Sequence, residues 1–210
     1  MARAKDFSYL IGANFTDPKT GRCAWTNQSS SQGPSGIKLS LTSTKRIENV
    51  TCGSNSNMGS IAKAMKDALE ATGYSELRDY QRKTIEAYLS GKDVFVSAPT
   101  GAGKSLTFEL APYTFDRLFG EAFNAIVFVI VPLISLMKDQ VSNLNSRGIR
   151  ASYVGDDCSE EQLEDILNLK EKIVFGSPEA ILNNYRHIFR DLKRNIKCVF
   201  IDESHCIAKW

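Results

Sequence analysis

The stretch Ser97-Ala98-Pro99-Thr100-Gly101-Ala102-Gly103-Lys104-Ser105 is the strongest indication of the fold of this chain. It follows a short apolar run at 93–96, which predicts a strand, and it precedes a helical pattern at 106–118. Strand, glycine-containing loop and helix in this order are typical of a phosphate-binding loop. The glycines let successive backbone N–H groups converge on one phosphate chain, and the positive end of the helix favours an anion there. The stretch therefore predicts a nucleoside triphosphate site.

The individual positions of this loop predict separate roles. Lys104 is expected to reach the β- and γ-phosphates, and the Ser105 hydroxyl is expected to hold Mg²⁺. Ala98 occupies a position where the strict pattern has glycine. An ordinary glycine-rich turn before a helix is the alternative, which the flanking strand and helix disfavour. The residues predicted to bind the nucleotide here are Pro99, Thr100, Gly101, Ala102, Gly103, Lys104 and Ser105.

Composition restricts the class of protein only broadly. A chain of 210 residues with 42% hydrophobic residues suits one domain, or one domain and a tail. The net charge of +2 neither requires nor excludes a nucleic-acid partner, because a local basic patch is what matters. The longest apolar run, 125–137, is too short to span a bilayer, and no secretory signal follows the N-terminus. We therefore expect no membrane association.

The cysteines indicate a reducing compartment. Five of them are scattered without a C-x-x-C pair or a metal-ligand spacing, so we expect reduced thiols and no structural zinc. These cysteines are Cys23, Cys52, Cys158, Cys198 and Cys206.

Residues 1–58 differ in character from the rest. Runs rich in Ser, Gly and Asn, at 29–36 and 53–57, bury little apolar surface. We interpret 1–58 as a disordered or weakly ordered tail and 59–210 as the folded domain. The apolar segment 7–11 is a candidate for local order, and a separate interaction module is the alternative for the region.

Beyond the tail, apolar runs alternate with helical patterns. A continuous β-branched run such as 125–131 is typical of a strand buried on both faces. The alternation predicts an α/β fold, with a mostly parallel sheet between helices and ligands at the carboxyl ends of its strands. The predicted strands lie at 93–96, 125–131, 151–154, 172–175 and 198–201, and helices at 61–72, 78–89, 106–118, 134–147, around 163–167 and from 178 to 185.

The last predicted strand delivers two adjacent carboxylates, Asp202 and Glu203. An apolar strand ending in an acidic pair is typical of a Walker B element. Asp202 is expected to bind Mg²⁺ through water, opposite Ser105, and Glu203 to orient or deprotonate the attacking water. A solvated acidic turn is the alternative, which the upstream phosphate loop disfavours.

Several segments resemble one family. Residues 202–210, Asp-Glu-Ser-His-Cys-Ile-Ala-Lys-Trp, resemble the DEAHCISQW segment of RecQ-type DNA helicases, and 131–141 resemble that family's motif Ia. Residues 77–81 and 177–179 are similar to its motifs 0 and Ib. The resemblance covers 73–210 in the family's order and implies the first RecA-like P-loop NTPase domain of a superfamily 2 DExH-box helicase, truncated at its C-terminal end.

The resemblance implies an ATP-dependent 3′-to-5′ DNA helicase of DNA repair and recombination. Arg78 and Gln81 would contact adenine, although Leu77, Asp79 and Tyr80 depart from the family's motif. His205 would link the nucleotide state to DNA binding. The implied partner is single-stranded or forked DNA, and the implied compartment is the nucleus, with the cytoplasm second; the oligomeric state stays open. The positions where the family contacts the DNA backbone are Pro132, Ser135, Lys138, Gln140 and Ser177.

The chain stops at Trp210, where the family's aromatic-rich loop begins. Motif III and the second RecA-like domain with its arginine finger do not follow. We therefore expect a helicase fragment that alone neither unwinds DNA nor hydrolyses ATP well. Two other functions stay open: a non-catalytic nucleotide- or DNA-binding module, and another superfamily 2 motor acting on RNA, against which the segment 133–141 argues.

Overall fold

The structure, a computed structural model, describes residues 6–12, 30–32, 38–42 and 56–203. Within these ranges one sheet of eight strands lies among seven α-helices. The strands are β1 (Asp6–Gly12), β2 (Ser30–Gln32), β3 (Lys38–Thr42), β4 (Asp93–Pro99), β5 (Ile126–Ile130), β6 (Ala151–Val154), β7 (Ile173–Gly176) and β8 (Ile196–Ile201). The helices are α1 (Ser56–Thr72), α2 (Asp79–Leu89), α3 (Leu106–Phe119), α4 (Ile134–Ser146), α5 (Glu160–Leu167), α6 (Pro178–Asn183) and α7 (Arg186–Asp191).

The strand order is β2-β3-β4-β1-β8-β5-β7-β6. Strands β8, β5, β7 and β6 pair with one another in parallel. Strand β1 is antiparallel to both β4 and β8, so these two strands run in the same direction. Their carboxyl ends, which carry the phosphate loop and the acidic pair, consequently lie at the same edge of the sheet.

The central strand β5 explains why helices cover both faces. Its residues Ile126 to Val129 are fully buried, and alternate side chains pack into two different apolar clusters. Val127 and Val129 join the larger cluster, which contains side chains of α1 to α4. Ile126 and Phe128 join the smaller cluster with side chains of α5, α6 and α7. The predicted α/β fold is confirmed, and its parallel sheet between helices consists of β8, β5, β7 and β6. The four pairings that involve β1 to β4 are antiparallel.

Two details of the predicted elements differ from the structure. The helix predicted from 178 to 185 already ends at Asn183, because the chain leaves helical geometry at Tyr185, and a separate short helix, α7, follows. The apolar residues of the helix predicted at 134–147 are expected to face the core, but Ile134 is 51% exposed. It is the first residue of α4, and burial of that helix begins one turn later at Met137. None of the helices in the described ranges is long and apolar enough to span a bilayer.

Three strands belong to the region 1–58, which its composition predicts to be a tail. Strands β2 and β3 extend the sheet beyond β4, and β1 coincides with the apolar segment noted at 7–11. Helix α1 begins at Ser56, close to the predicted boundary. The rest of 1–55 lies outside the described residues, so the division into a tail and a domain at residue 58 stays a prediction.

Candidate nucleotide-binding site

The phosphate loop connects β4 to α3. Gly101 and Gly103 adopt φ angles of +80° and +85°, a left-handed conformation that glycine reaches without steric cost. Ser105 lies at the N-cap of α3, whose first residue is Leu106. Apart from Ala102 and the half-buried Lys104, the loop from Thr100 to Ser105 is exposed. This local geometry leaves the start of α3 accessible to an anion.

The loop and the acidic pair line one cavity of about 350 Å³. Part of its lining is apolar and consists of Phe108, Val129 and Phe200 from α3, β5 and β8. Its polar wall combines both sequence motifs, and consists of Thr100, Gly101, Gly103, Lys104, Ser105, Asp202 and Glu203. The structure thus brings together residues that lie about a hundred positions apart in the chain.

Lys104 lies over the loop that contains it. Its Nζ donates to the carbonyl oxygens of Ala98 and Pro99, at 3.0 and 3.2 Å. Burial lowers the pKa of Lys104, while the nearby carboxylates of Asp202 and Glu203 act in the opposite direction. A lysine held in this place presents its charge to the cavity that both motifs line.

The acidic pair forms a tight turn directly after β8. Asp202 continues the sheet, because its N–H donates to the Ile130 carbonyl at 2.9 Å. The Glu203 N–H donates to Asp202 Oδ1 at 3.0 Å. Glu203 has a φ angle of +53°, which is strained for a residue other than glycine. This turn lets two consecutive carboxylates reach the same cavity.

Three side chains at the start of α2 hold the loop in place, and we call Arg78, Tyr80 and Gln81 the loop clamp. Arg78 Nη1 and the Tyr80 hydroxyl both donate to the Ala102 carbonyl at 2.7 Å. Gln81 Nε2 donates to the Gly103 carbonyl at 2.7 Å, and its Oε1 accepts from the Arg78 N–H at 2.7 Å. The structure places the two predicted adenine contacts, Arg78 and Gln81, on the loop backbone; their contact with adenine stays a prediction.

Tyr80 is the member of the loop clamp for which the sequence predicts no role. In the sequence it is only a departure from the motif that 77–81 resemble. Its ring is buried, and burial raises the pKa of its hydroxyl. No sequence signal shows that this hydroxyl meets a loop 22 residues further on, so only the fold reveals it.

The predicted DNA contacts lie beyond β5 and β7. Ser135 and Lys138 are exposed on α4, and Lys138 forms an ion pair with Asp157. Ser177, by contrast, is buried, and its hydroxyl caps α6 by accepting from the Ala180 N–H at 3.1 Å. Pro132 and Gln140 are half-buried. His205 lies outside the described residues, so its predicted role stays a prediction.

A glycine loop between strand and helix, joined in one cavity to an acidic pair at the end of a parallel strand, defines a RecA-like P-loop nucleoside triphosphatase domain. Comparison with known families then gives the particular assignment. The DEAD/DEAH box helicase family matches residues 78–210, and the chain belongs to this family.

Comparison with curated relatives shows which helicases within this family the chain resembles. The chain is 36% identical over 143 residues to the ATP-dependent DNA helicase RecQ of Haemophilus influenzae, covering 66% of this chain and 22% of that protein. It is 35% identical over 142 residues to the probable ATP-dependent DNA helicase RecS of Bacillus subtilis (66% and 27%). The ATP-dependent helicase wrn-1 of Caenorhabditis elegans is 31% identical over 144 residues (67% and 13%). The resemblance to RecQ-type helicases is confirmed, and the chain spans about a fifth of the first relative's length.

Proposed function

We propose that the chain is the nucleotide-binding part of an ATP-dependent 3′-to-5′ DNA helicase of RecQ type, acting in DNA repair and recombination. The observation that carries this proposal is the single cavity lined by both the phosphate loop and the acidic pair. A loop alone would support nucleotide binding. A carboxylate pair facing the same space supports hydrolysis as well.

The residues around the cavity fit ATP with Mg²⁺. Exposed loop backbone and the Lys104 ammonium suit the phosphate chain, and the Ser105 hydroxyl and Asp202 carboxylate are the hard oxygen donors that Mg²⁺ prefers. When bound, Mg²⁺ would supply neutralisation of charge on the phosphate oxygens. Arg78 and Gln81, at the start of α2, are the proposed adenine contacts, reached when the nucleotide occupies the loop that they already touch.

Glu203 is the proposed catalytic base. It lies in a turn with strained backbone geometry and lines the cavity beside Asp202. A carboxylate in this position can orient the attacking water and accept its proton, while Asp202 serves the metal. Two adjacent acidic residues would thereby perform two distinct tasks.

The proposed partner is single-stranded or forked DNA, bound across the carboxyl edge of the sheet near the start of α4. Exposed Ser135 and Lys138 supply a hydroxyl and an ammonium, both suited to phosphate oxygens. The relatives named above are described as DNA helicases or helicases, in bacteria and in an animal. For a eukaryotic chain we propose the nucleus as the main compartment, with the cytoplasm second.

Binding of labelled ATP, with and without Mg²⁺, tests the nucleotide site. Lys104→Ala should weaken binding by at least about tenfold, because a charge-assisted contact contributes about 1.5–3 kcal/mol. Lys63→Ala is the matched control, since it removes an exposed lysine of α1 outside the cavity lining. Equal binding by all three proteins would contradict the proposed site. Preference for labelled single-stranded DNA over RNA of the same sequence tests the partner separately.

A further inference from the structure

Lys138, the one basic residue among the predicted DNA contacts, forms an ion pair with a carboxylate of the same chain. Lys138 Nζ, on α4, forms an ion pair and hydrogen bond with Asp157 Oδ2. Asp157 lies in the turn that follows β6, so the pair joins two neighbouring segments beyond the carboxyl edge of the sheet. Lys138 therefore does not present an uncompensated charge to a ligand at this edge.

Tyr153 completes the arrangement around Asp157. Its hydroxyl donates to the same carboxylate oxygen, Oδ2, at 3.1 Å. Lys138 Nζ lies 5.6 Å from the centre of the Tyr153 ring, close enough for a cation–π attraction. One oxygen of Asp157 thus accepts from a hydroxyl and an ammonium together, much as a phosphate oxygen could.

The ion pair between Lys138 and Asp157 is also easily broken. Its side chains are 45% and 52% exposed, and exposed ion pairs contribute little because water and salt screen them. The hydrogen bond from Lys138 lowers the pKa of Asp157, so the carboxylate stays ionised throughout the physiological range. A DNA phosphate that approaches Lys138 would therefore compete with the ionised carboxylate of Asp157, which it can displace at little cost.

We propose that Asp157 is an intramolecular competitor of the DNA phosphate for Lys138 and thereby sets the DNA affinity of this surface. This inference rests on the proposed function, since it assumes that DNA crosses the start of α4. In the absence of DNA, Asp157 Oδ2 accepts the hydrogen bond from Lys138 Nζ. When DNA binds, a phosphate oxygen takes the place of Asp157 Oδ2, and the released carboxylate becomes hydrated. The acidic turn after β6 would lower affinity for short or mispositioned strands.

The test measures fluorescence anisotropy of a fluorescein-labelled oligothymidylate with the full chain at several salt concentrations, starting low. Asp157→Asn should tighten binding by about fivefold, the upper range for an exposed pair. Asp156→Asn is the matched control, because it removes the same charge one residue away and leaves the pair in place. It should change affinity by clearly less than Asp157→Asn.

A double variant separates competition from general repulsion. In a Lys138→Ala background, Asp157→Asn should give no further gain, and the salt dependence of log K should lose about 0.7 per contact removed. Unchanged or weaker binding by Asp157→Asn would overturn the inference, as would an equal gain without Lys138. If the unaltered chain does not bind the oligonucleotide even at low salt, the proposed DNA partner itself fails, which is a different result from binding without an Asp157 effect.

Discussion

Gln81 Nε2 donates to the Gly103 carbonyl oxygen at 2.7 Å, joining the first turn of α2 to the centre of the phosphate loop. Gln81 is 2% exposed, so its amide is largely shielded from bulk water. Its other end, Oε1, accepts from the Arg78 N–H and caps the helix. One buried side chain therefore fixes the helix start and the loop at once, and the loop backbone is held before any nucleotide arrives.

Gln81→Ala should reduce the affinity for ATP with Mg²⁺ by about tenfold, because losing a buried hydrogen bond costs about 1–3 kcal/mol. The variant also loses a helix cap, so the control must lose an equivalent cap. Gln162→Ala does so, since Gln162 Oε1 accepts from the Ser159 N–H at 3.0 Å at the start of α5. Titration with labelled ATP should separate the two; equal affinities would show that the clamp does not support the site.

The two glycines of the phosphate loop, Gly101 and Gly103, should differ in how well they tolerate a side chain. Gly101→Ala and Gly103→Ala should both destabilise the loop, since a left-handed conformation costs a side-chain-bearing residue about 1–2 kcal/mol. At Gly103 an added Cβ would also lie 3.0 Å from Gln81 Nε2, whereas at Gly101 it would meet no atom within 4 Å. Gly103→Ala should therefore weaken ATP binding more.

A double-mutant cycle with Gln81→Ala checks the cause. In that background, the extra loss at Gly103 should disappear, and the two alanine variants should bind ATP alike. A difference that persists without the Gln81 side chain would assign the effect to the backbone alone.

The phosphate loop and the acidic pair could be predicted from sequence because each is a contiguous pattern next to an apolar strand. The chain order of helices and strands followed from periodicity, as the exact match at Ala151–Val154 illustrates. The tertiary contacts of Tyr80 could not be predicted, since they depend on how α2 packs against a loop distant in sequence. The position of β1 could not be predicted either, because a strand between β4 and β8 is determined by pairing, not by its own pattern.

Tyr74 provides a prediction about pH. Burial, followed by the hydrogen bond that its hydroxyl donates to Glu109, raises the pKa of Tyr74 to about 12. The unfolded chain ionises this group near pH 10, so folding favours the neutral form. The resulting stabilisation is complete below about pH 10 and is lost as the pH rises towards 12.

Tyr74→Phe should therefore lower stability below pH 10, and its difference from the unaltered chain should shrink between pH 10 and 12. Urea unfolding at a series of pH values measures both curves, and titration of lysines and other tyrosines affects them equally. A difference that stays constant with pH would show that the hydroxyl contributes no linked proton.

The buried ion pair of Asp116 and Lys172 should contribute most to stability at the amino ends of β5 and β7, opposite the nucleotide cavity. Their charged atoms lie 2.6 Å apart, and the side chains are only 10% and 8% exposed. Asp116 Oδ1 also accepts from the Ala125 N–H at 2.7 Å, while Lys172 Nζ donates to Asn124 Oδ1 at 2.7 Å. The cluster thus connects the segments that lead into β5 and β7, at their amino ends and away from the cavity.

Asp116→Ala should cost about 3–5 kcal/mol of unfolding free energy, because it leaves a buried ammonium without its counter-charge. Asp165→Ala is the control: its pair with Lys170 has the same 2.6 Å separation but is 32% and 62% exposed, so it should cost no more than about 1 kcal/mol. Replacing both partners, Asp116→Ala with Lys172→Met, should recover part of the loss, since no charge is then left buried. Denaturant unfolding measures all three. Similar losses for the buried and the exposed pair would mean that water reaches Lys172, and that the shape of this edge depends on apolar packing alone.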